Sequence, residues 1–451
     1  MPSRVRLPKT ADRRVLYAVK AEAQSPQQMS PEAQGEEEQS SRSAPASFTI
    51  DLSTITLLAG SAFALYLFSA VVLAGRSATS HFGADAHLYA VLADGEILDR
   101  ILRFHPVTVV LAVGWLKLLG PLVSIDPHVL LKMLFAVVGA AGVAAAALTF
   151  SAFVPRAQAI AWSAIYAVSL GIWYFSSLEE SKIVTATLAA IYIALYVRLR
   201  QQWTIRGAAL LTLVLAVACL NEIVSCFLVA IPVIDTLLRH GWKWREGRWI
   251  AAHALVAPLA FGFLEGVLGR VLLTPITEAE GKSHFSMLFF YIFQNTFSVS
   301  TVYEFAVNWL FFNIAAPTPT ATMWENAIPA GFKGYFFPVL ANYLSSPLAG
   351  AVVLLSILML AAILLPGYRK ALGEGVGALL AALACYALVR AAFFLVFNPG
   401  EAMLFSPAAT LAHLMLIAVP FSRTLLPGKG VILAALAGCL LVTNTAFMIG
   451  Q

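Results

Sequence analysis

Beyond residue 51 the chain alternates long apolar stretches with short polar connectors. The apolar runs fall at 52–74, 104–122, 127–154, 157–176, 181–199, 206–220, 222–239, 249–270, 345–366, 373–397, 404–422 and 430–450. Most are close to the ~20 residues that carry a helix across about 30 Å of hydrocarbon. The pattern predicts an all-α, polytopic transmembrane protein. The strongest basic connectors are Arg198/Arg200/Arg206, Arg239/Lys243/Arg245/Arg248, Arg369/Lys370 and Arg423/Lys429. If every run crosses, all four lie opposite the basic N-terminal stretch. If 104–122 dips in or lies at the interface, that stretch, Arg156 and all four clusters share one side, as the positive-inside rule requires. The expectation is therefore about eleven crossings. The 104–122 run starts Phe104-His105-Pro106, carries Lys117 and ends at Gly120-Pro121. An ordinary crossing with a snorkelling lysine is the alternative reading.

This threading divides the chain into four parts. Residues 1–50 combine Arg4, Arg6, Lys9, Arg13, Arg14 and Lys20 with a Gln/Ser/Pro-rich run and Glu36-Glu37-Glu38, and read as a disordered cytosolic tail. Residues 51–270 form a membrane module with an outer loop at 75–103, and 52–74 acts as a signal anchor. An extracytoplasmic loop at 271–344 carries two aromatic runs, His284 to Phe293 and Trp309 to Phe312, expected as interfacial helices. Residues 345–451 supply the C-terminal transmembrane helices.

Composition agrees with the pattern: 60% of the residues are hydrophobic and 12% charged, with a mean hydropathy of +0.81. Soluble domains carry about 25% charged residues, so lipid must solvate this surface. The net charge of +5 sits in the connectors between apolar runs, which argues against nucleic acid as a partner. Cys219, Cys226, Cys385 and Cys439 lie in apolar segments without metal spacing.

Ionisable groups at the membrane edge are costly, and so are functional candidates. The outer edge collects Asp85, Asp94, Glu96, Asp99, Glu179, Glu180, Glu222 and Glu401, joined by His81, His87, His105, His284, Lys182, Arg270 and Arg390. Asp94, Glu96 and Asp99 lie near Arg100 and Arg103 and read as a solvated turn, whereas Asp85 stands among apolar neighbours. A carboxylate there could deprotonate a hydroxyl. Glu179 and Glu180 either shape a site or meet the dipole of helix 181–199. Arg390, within the outer half of an apolar helix, either pairs with a carboxylate on another helix or receives a phosphate.

The order of these pieces resembles the GT-C superfamily of polyprenyl-phosphate-sugar-dependent glycosyltransferases. Within it, the chain resembles the dolichyl/polyprenyl-phosphate-mannose protein mannosyltransferase and aminoarabinose transferase group. The resemblance rests on the acidic first loop at Asp85 and on the helix running from His105-Pro106 to Trp115-Leu116-Lys117-Leu118-Leu119-Gly120. It continues through the Gly/Ala-rich Val137–Leu148, the Phe153–Arg156 turn and the aromatic-Ser-acid segment Trp173–Glu180. Leu215–Asn221, Phe227–Leu238 and Asn398–Leu416, with Phe405 and Pro407, complete it. It covers 52–240 well and the rest in outline.

The resemblance implies a GT-C-like fold and transfer of a sugar from a polyprenyl-phosphate donor to an extracytoplasmic lipid, glycan or protein of the cell envelope. It implies Asp85 as catalytic base, Glu179 or Glu180 shaping the site and Arg390 holding the donor phosphate. Lys182, His87, His105 and Glu401 join them as substrate-binding candidates. Some members use a divalent metal, which Asp85 and Glu180 would hold here; the residues themselves show no independent metal signature. Many members carry two adjacent acids in loop one, whereas Asp85 is followed by Ala86 and His87. Either a single acid suffices, or His87 helps, or the activity has diverged. The expected location is the plasma or inner membrane, with a cytosolic N-terminus and an extracytoplasmic site. A transporter or flippase of a lipid-linked substrate, and a non-catalytic scaffold, are the competing readings.

Overall fold

The computed structural model describes residues 49–74, 89–95, 104–201, 203–241, 244–263, 298–317, 340–345 and 366–450, together with the single positions 266, 348, 350, 353, 356 and 360. Among them the chain is helical and contains no strand. The helices are α1 (Leu52–Ala74), α2 (Pro106–Leu119), α3 (Pro127–Ser151), α4 (Arg156–Val168), α5 (Leu170–Ser176), α6 (Ser181–Leu199), α7 (Ile205–Asn221), α8 (Ala230–His240) and α9 (Trp244–Phe263). After them come α10 (Val299–Val307), α11 (Leu340–Ser345), α12 (Tyr368–Gly373), α13 (Gly377–Phe397), α14 (Ala402–Phe405), α15 (Thr410–Arg423) and α16 (Lys429–Gly450).

Seven of the described segments are long and apolar enough to cross a bilayer, or eight if the bent pair α4–α5 is one span. The protein is therefore a multi-pass integral membrane protein. Three apolar helices are shorter: α2, α7 and the 250–260 part of α9. With 14 residues α2 is about 21 Å long, short of the hydrocarbon thickness. Most of the expected 345–366 run and the whole of 284–293 lie outside the described residues.

Helix starts follow local chemistry. Asp126 caps α3 by accepting from the backbone of His128 (2.8 Å) and Val129 (3.3 Å), and Pro127 occupies the first turn, where no donor is needed. At the start of α7 the Thr204 hydroxyl accepts from the Gly207 N–H. The Gly/Ala-rich middle of α3 lets its neighbours approach. A Cβ on Gly139 would strike the hydroxyl of Ser176 at the end of α5.

The bend between α4 and α5 is 59°. Ser169 leaves the helical conformation there (φ −58°, ψ 132°), which frees backbone groups inside the protein. The stretch after α10 meets this need. Leu170 N–H donates to Ile314 O (3.1 Å) and Gly171 N–H to Asn313 O (2.8 Å). From α16, the Asn444 amide donates to Val168 O (2.7 Å) and Ile314 O (2.9 Å), and its Oδ1 accepts from Ala316 N–H (2.9 Å). A side chain on Gly171 would collide with Asn313. The run from Trp309 to Phe312 continues α10 as one wider helical turn, Asn308–Phe312. Trp309 and Phe312 are buried, the first against Phe394 and His413 and the second against Phe447. The broken span needs an inserted backbone segment, and that need outweighs the surface preference that an aromatic run suggests.

One end of the bundle is basic and internally paired. Asp235, fully buried, accepts from Arg200 (2.9 and 3.1 Å) and the Tyr196 hydroxyl (2.6 Å), and Arg239 Nε pairs with it in charge at 3.1 Å. Arg200 also reaches Gly375 O (3.5 Å), bringing the start of α13 to the ends of α6 and α8.

Asn444→Leu keeps the apolar volume but removes three hydrogen bonds at the α4–α5 bend. Leaving buried backbone groups without partners costs ~1–3 kcal/mol each. The variant should unfold about 2–4 kcal/mol more easily than the parent in an equilibrium detergent-denaturation assay. A shift below experimental error would mean that the bend is held by other contacts.

Candidate functional site

At the end of the bundle opposite Asp235, four elements converge: the start of α2, the start of α6, the end of α7 and the second half of α13. Their convergence follows from how two helix ends are satisfied. The α2 cap residue His105 offers no side-chain hydrogen bond to its own helix. Asn221, the last residue of α7, supplies it instead. Its Oδ1 accepts from Thr108 N–H (3.0 Å) and from the Thr108 hydroxyl (2.7 Å). Its backbone oxygen contacts His105 Nδ1 (2.7 Å), and its amide donates to Thr185 of α6 (3.0 Å). Asn221 therefore ties α2, α6 and α7 together at one point.

The next residue, Glu222, stands in an extended conformation (φ −152°, ψ 111°) where α7 stops and the 3-10 turn Ile223–Val229 begins. Its Oε1 accepts from Arg390 Nη2 at 2.7 Å, and both side chains are buried. Arg390 Nε donates to Phe405 O (3.2 Å), and its guanidinium lies 5.0 Å from the Phe394 ring centroid. Its remaining nitrogen, Nη1, is buried and has no acceptor among the described residues. Phe394 stacks on Phe405 with centroids 3.9 Å apart, and the Lys182 ammonium sits 4.6 Å from the Phe405 ring centroid. Lys182 and His105 also act electrostatically on Glu222, and the Thr185 hydroxyl adjoins it.

A second ion pair lies beside the first. Lys132 Nζ of α3 is 3.7 Å from Glu179 Oε1. His128, one turn earlier, acts on Glu179 and contacts Asp94 at 3.4 Å. Burial pushes the Glu179 carboxyl above its usual range, with Lys132 the main opposing influence. Glu180 caps α6, accepting from Ser181 N–H (2.9 Å) and the Ser181 hydroxyl (3.0 Å).

Of the residues picked out in the sequence, Arg390, Lys182 and His105 gather around Glu222. Glu179 pairs with Lys132 rather than with Arg390, and Glu180 takes the helix-capping role that the sequence had left open. Glu401 is half-buried in the 399–401 turn. Asp85 and His87 lie outside the described residues. Among the described residues no group of three His, Cys, Asp or Glu side chains could hold a metal ion. Sequence reasoning had placed Glu222 among the edge acids without giving it a role, and it passed over Asn221 and Lys132. The available signal was the pair Asn221-Glu222, two polar residues interrupting an apolar stretch.

The arrangement supplies two hydrogen-bonding cations, an unused guanidinium nitrogen, a carboxylate and an aromatic floor, all close to a bundle end. No family model matches the chain, and no curated protein is similar to it.

Glu222→Leu should lower stability by about 3–5 kcal/mol, because it strands the Arg390 charge, while the Glu222→Leu/Arg390→Met double variant should recover most of that loss. Equal losses in the single and double variants would show that the pair is not coupled. Glu179 gives a pH signature. A carboxyl with a raised folded-state pKa contributes full stability below its unfolded value, and this is lost as pH rises through the folded value. Stability of the parent should therefore fall on going upward from the ordinary carboxylate range, and Glu179→Gln should flatten that slope. Parallel curves for the two proteins in denaturation at graded pH would refute this.

Proposed function

We propose that the protein is a membrane glycosyltransferase moving a sugar from a polyprenyl-phosphate donor to an extracytoplasmic acceptor. The observation that carries this reading is the buried Arg390 Nη1, which has no acceptor among the described residues and stands in the same cluster as Lys182 and His105. A phosphate oxygen completes such a guanidinium fork. The aromatic pair Phe394 and Phe405 beside it suits an amphipathic substrate. The resemblance in residue order to GT-C enzymes points the same way. On this reading the chain crosses the membrane about eleven times, with a cytosolic N-terminus and the Glu222 cluster on the outer side.

In the reaction, the acceptor hydroxyl loses its proton to a carboxylate, for which Asp85 is the candidate. The oxygen attacks the anomeric carbon and forms the new glycosidic bond. The bond from that carbon to the phosphate oxygen breaks, and the lipid phosphate leaves with the electron pair. Arg390 and Lys182 stabilise the charge that grows on it. Glu222 occupies one Arg390 nitrogen and limits how tightly a second anion binds.

A transporter of a lipid-linked substrate is the second reading, favoured by the interrupted helices at Ser169 and Glu222, since transporters build their sites at such breaks. Substrate counterflow in proteoliposomes without chemical change would select it.

Two measurements test the enzyme reading. Asp85→Asn should lower transfer from a polyprenyl-phosphate sugar by about 10²–10⁴-fold while leaving the thermal midpoint unchanged; full activity sinks the assignment. Glu222→Gln keeps an acceptor for Arg390 but removes the competing charge. Polyprenyl phosphate should therefore raise the thermal midpoint of Glu222→Gln more than that of the parent. An equal or smaller shift would remove Arg390 as the phosphate ligand.

A further inference from the structure

We infer a binding site for an anionic phospholipid in the trough between α7 and α9, at the basic end of the bundle and away from the Glu222 cluster. The trough is a cavity of about 440 Å³. Ile205, Ala209, Thr212 and Ala216 recur along one face of α7 and line it over about 16 Å. Trp203 stands at its mouth, and His253 of α9 borders it. The small side chains on α7 are what leave the space.

The lining fixes the chemistry of the occupant. Both ring nitrogens of His253 are engaged, Nε2 with the Tyr192 hydroxyl (2.7 Å) and Nδ1 with the Thr212 hydroxyl (2.9 Å). The ring therefore offers no spare polar atom to the trough, which suits a hydrocarbon chain. The mouth has the opposite character. Arg206 adjoins Ile205 and is exposed, as is Arg198, and neither makes an ion pair among the described residues. From Lys182 to Asn221 the chain carries no Asp or Glu. An indole at this end suits the level of lipid headgroups, and Arg206 there, with no ion pair among the described residues, selects a negative one. A phospholipid with an anionic headgroup fits both halves, with its acyl chain along α7 and its phosphate at Arg206.

The test uses the full chain in phosphatidylcholine nanodiscs, titrated with phosphatidylglycerol carrying brominated chains and read by quenching of Trp203. The Trp203→Phe variant isolates that signal. The parent should show saturable quenching that brominated phosphatidylcholine matches only at severalfold higher mole fraction. Arg206→Gln, at an exposed position, should reduce the preference for phosphatidylglycerol about fivefold and keep the quenching itself. Ala209→Phe, also exposed, fills the trough and should weaken quenching by both lipids. Circular dichroism melting checks that each variant is folded, and if Ala209→Phe is not, Arg206→Gln decides alone. Equal quenching by the two lipids overturns the proposal, as does an unchanged preference in Arg206→Gln. Competition by soluble glycerol phosphate would also overturn it, because the recognised group would then be a free phosphate.

Discussion

Hydrocarbon supplies no hydrogen bonds, so every break in a membrane helix must find partners inside the protein. Much of the architecture answers this constraint. The bend at Ser169 frees the backbone of Val168, Leu170 and Gly171, and residues 313–316 with Asn444 satisfy it. That need pulls Asn308–Phe312 into the core and brings α16 against α4. The close approach also restricts Gly171, where any side chain would meet Asn313. The break after Asn221 works in the same way, with α2, α6 and α7 sharing one asparagine.

The same break positions the chemistry. Once α7 stops, Glu222 no longer faces along a continuous helix and reaches Arg390 of α13. The aromatic pair of Phe394 and Phe405 then lies under the guanidinium, and Lys182, at the start of α6, covers the other side of Phe405. The residues that resolve a backbone problem and those that form the site are thus neighbours in sequence as well as in space. A change at Asn221 would disturb both.

Most of this fold was legible in the chain because it depends on local apolar length. The runs at 52–74, 181–199 and 430–450 coincide closely with α1, α6 and α16. Arg390 was legible as a costly cation in an apolar helix, but its partner was not. Glu222 lies 168 positions away in sequence, and although its place in an apolar stretch sets it apart from the acids near Asp94, nothing local pairs it with Arg390. Lys132 was hidden for the same reason, since its pairing with Glu179 depends on how α3 packs on the α5–α6 turn. The burial of Trp309 and Phe312 was not legible, because amphipathic surface helices and inserted segments share a composition. Only the demand of the Ser169 break, itself invisible in a smooth apolar run, separates the two.

The two charged ends of the bundle differ in a way that bears on their roles. At Asp235 the carboxylate takes two hydrogen bonds from Arg200 and one from Tyr196, with the Arg239 charge alongside, so both its oxygens are used. That is how a buried charge is made tolerable. At Glu222 the pairing is thinner. One carboxylate oxygen meets one guanidinium nitrogen, and Arg390 Nη1 remains buried without an acceptor among the described residues. A buried ion pair adds little net stability even when complete, because desolvation offsets its attraction. Stability alone is therefore a poor account of the incomplete one. An incoming acceptor oxygen would gain a charge-assisted hydrogen bond and relieve a desolvated donor in the same step. The incomplete pair thus has a charge-assisted hydrogen bond to gain from a ligand.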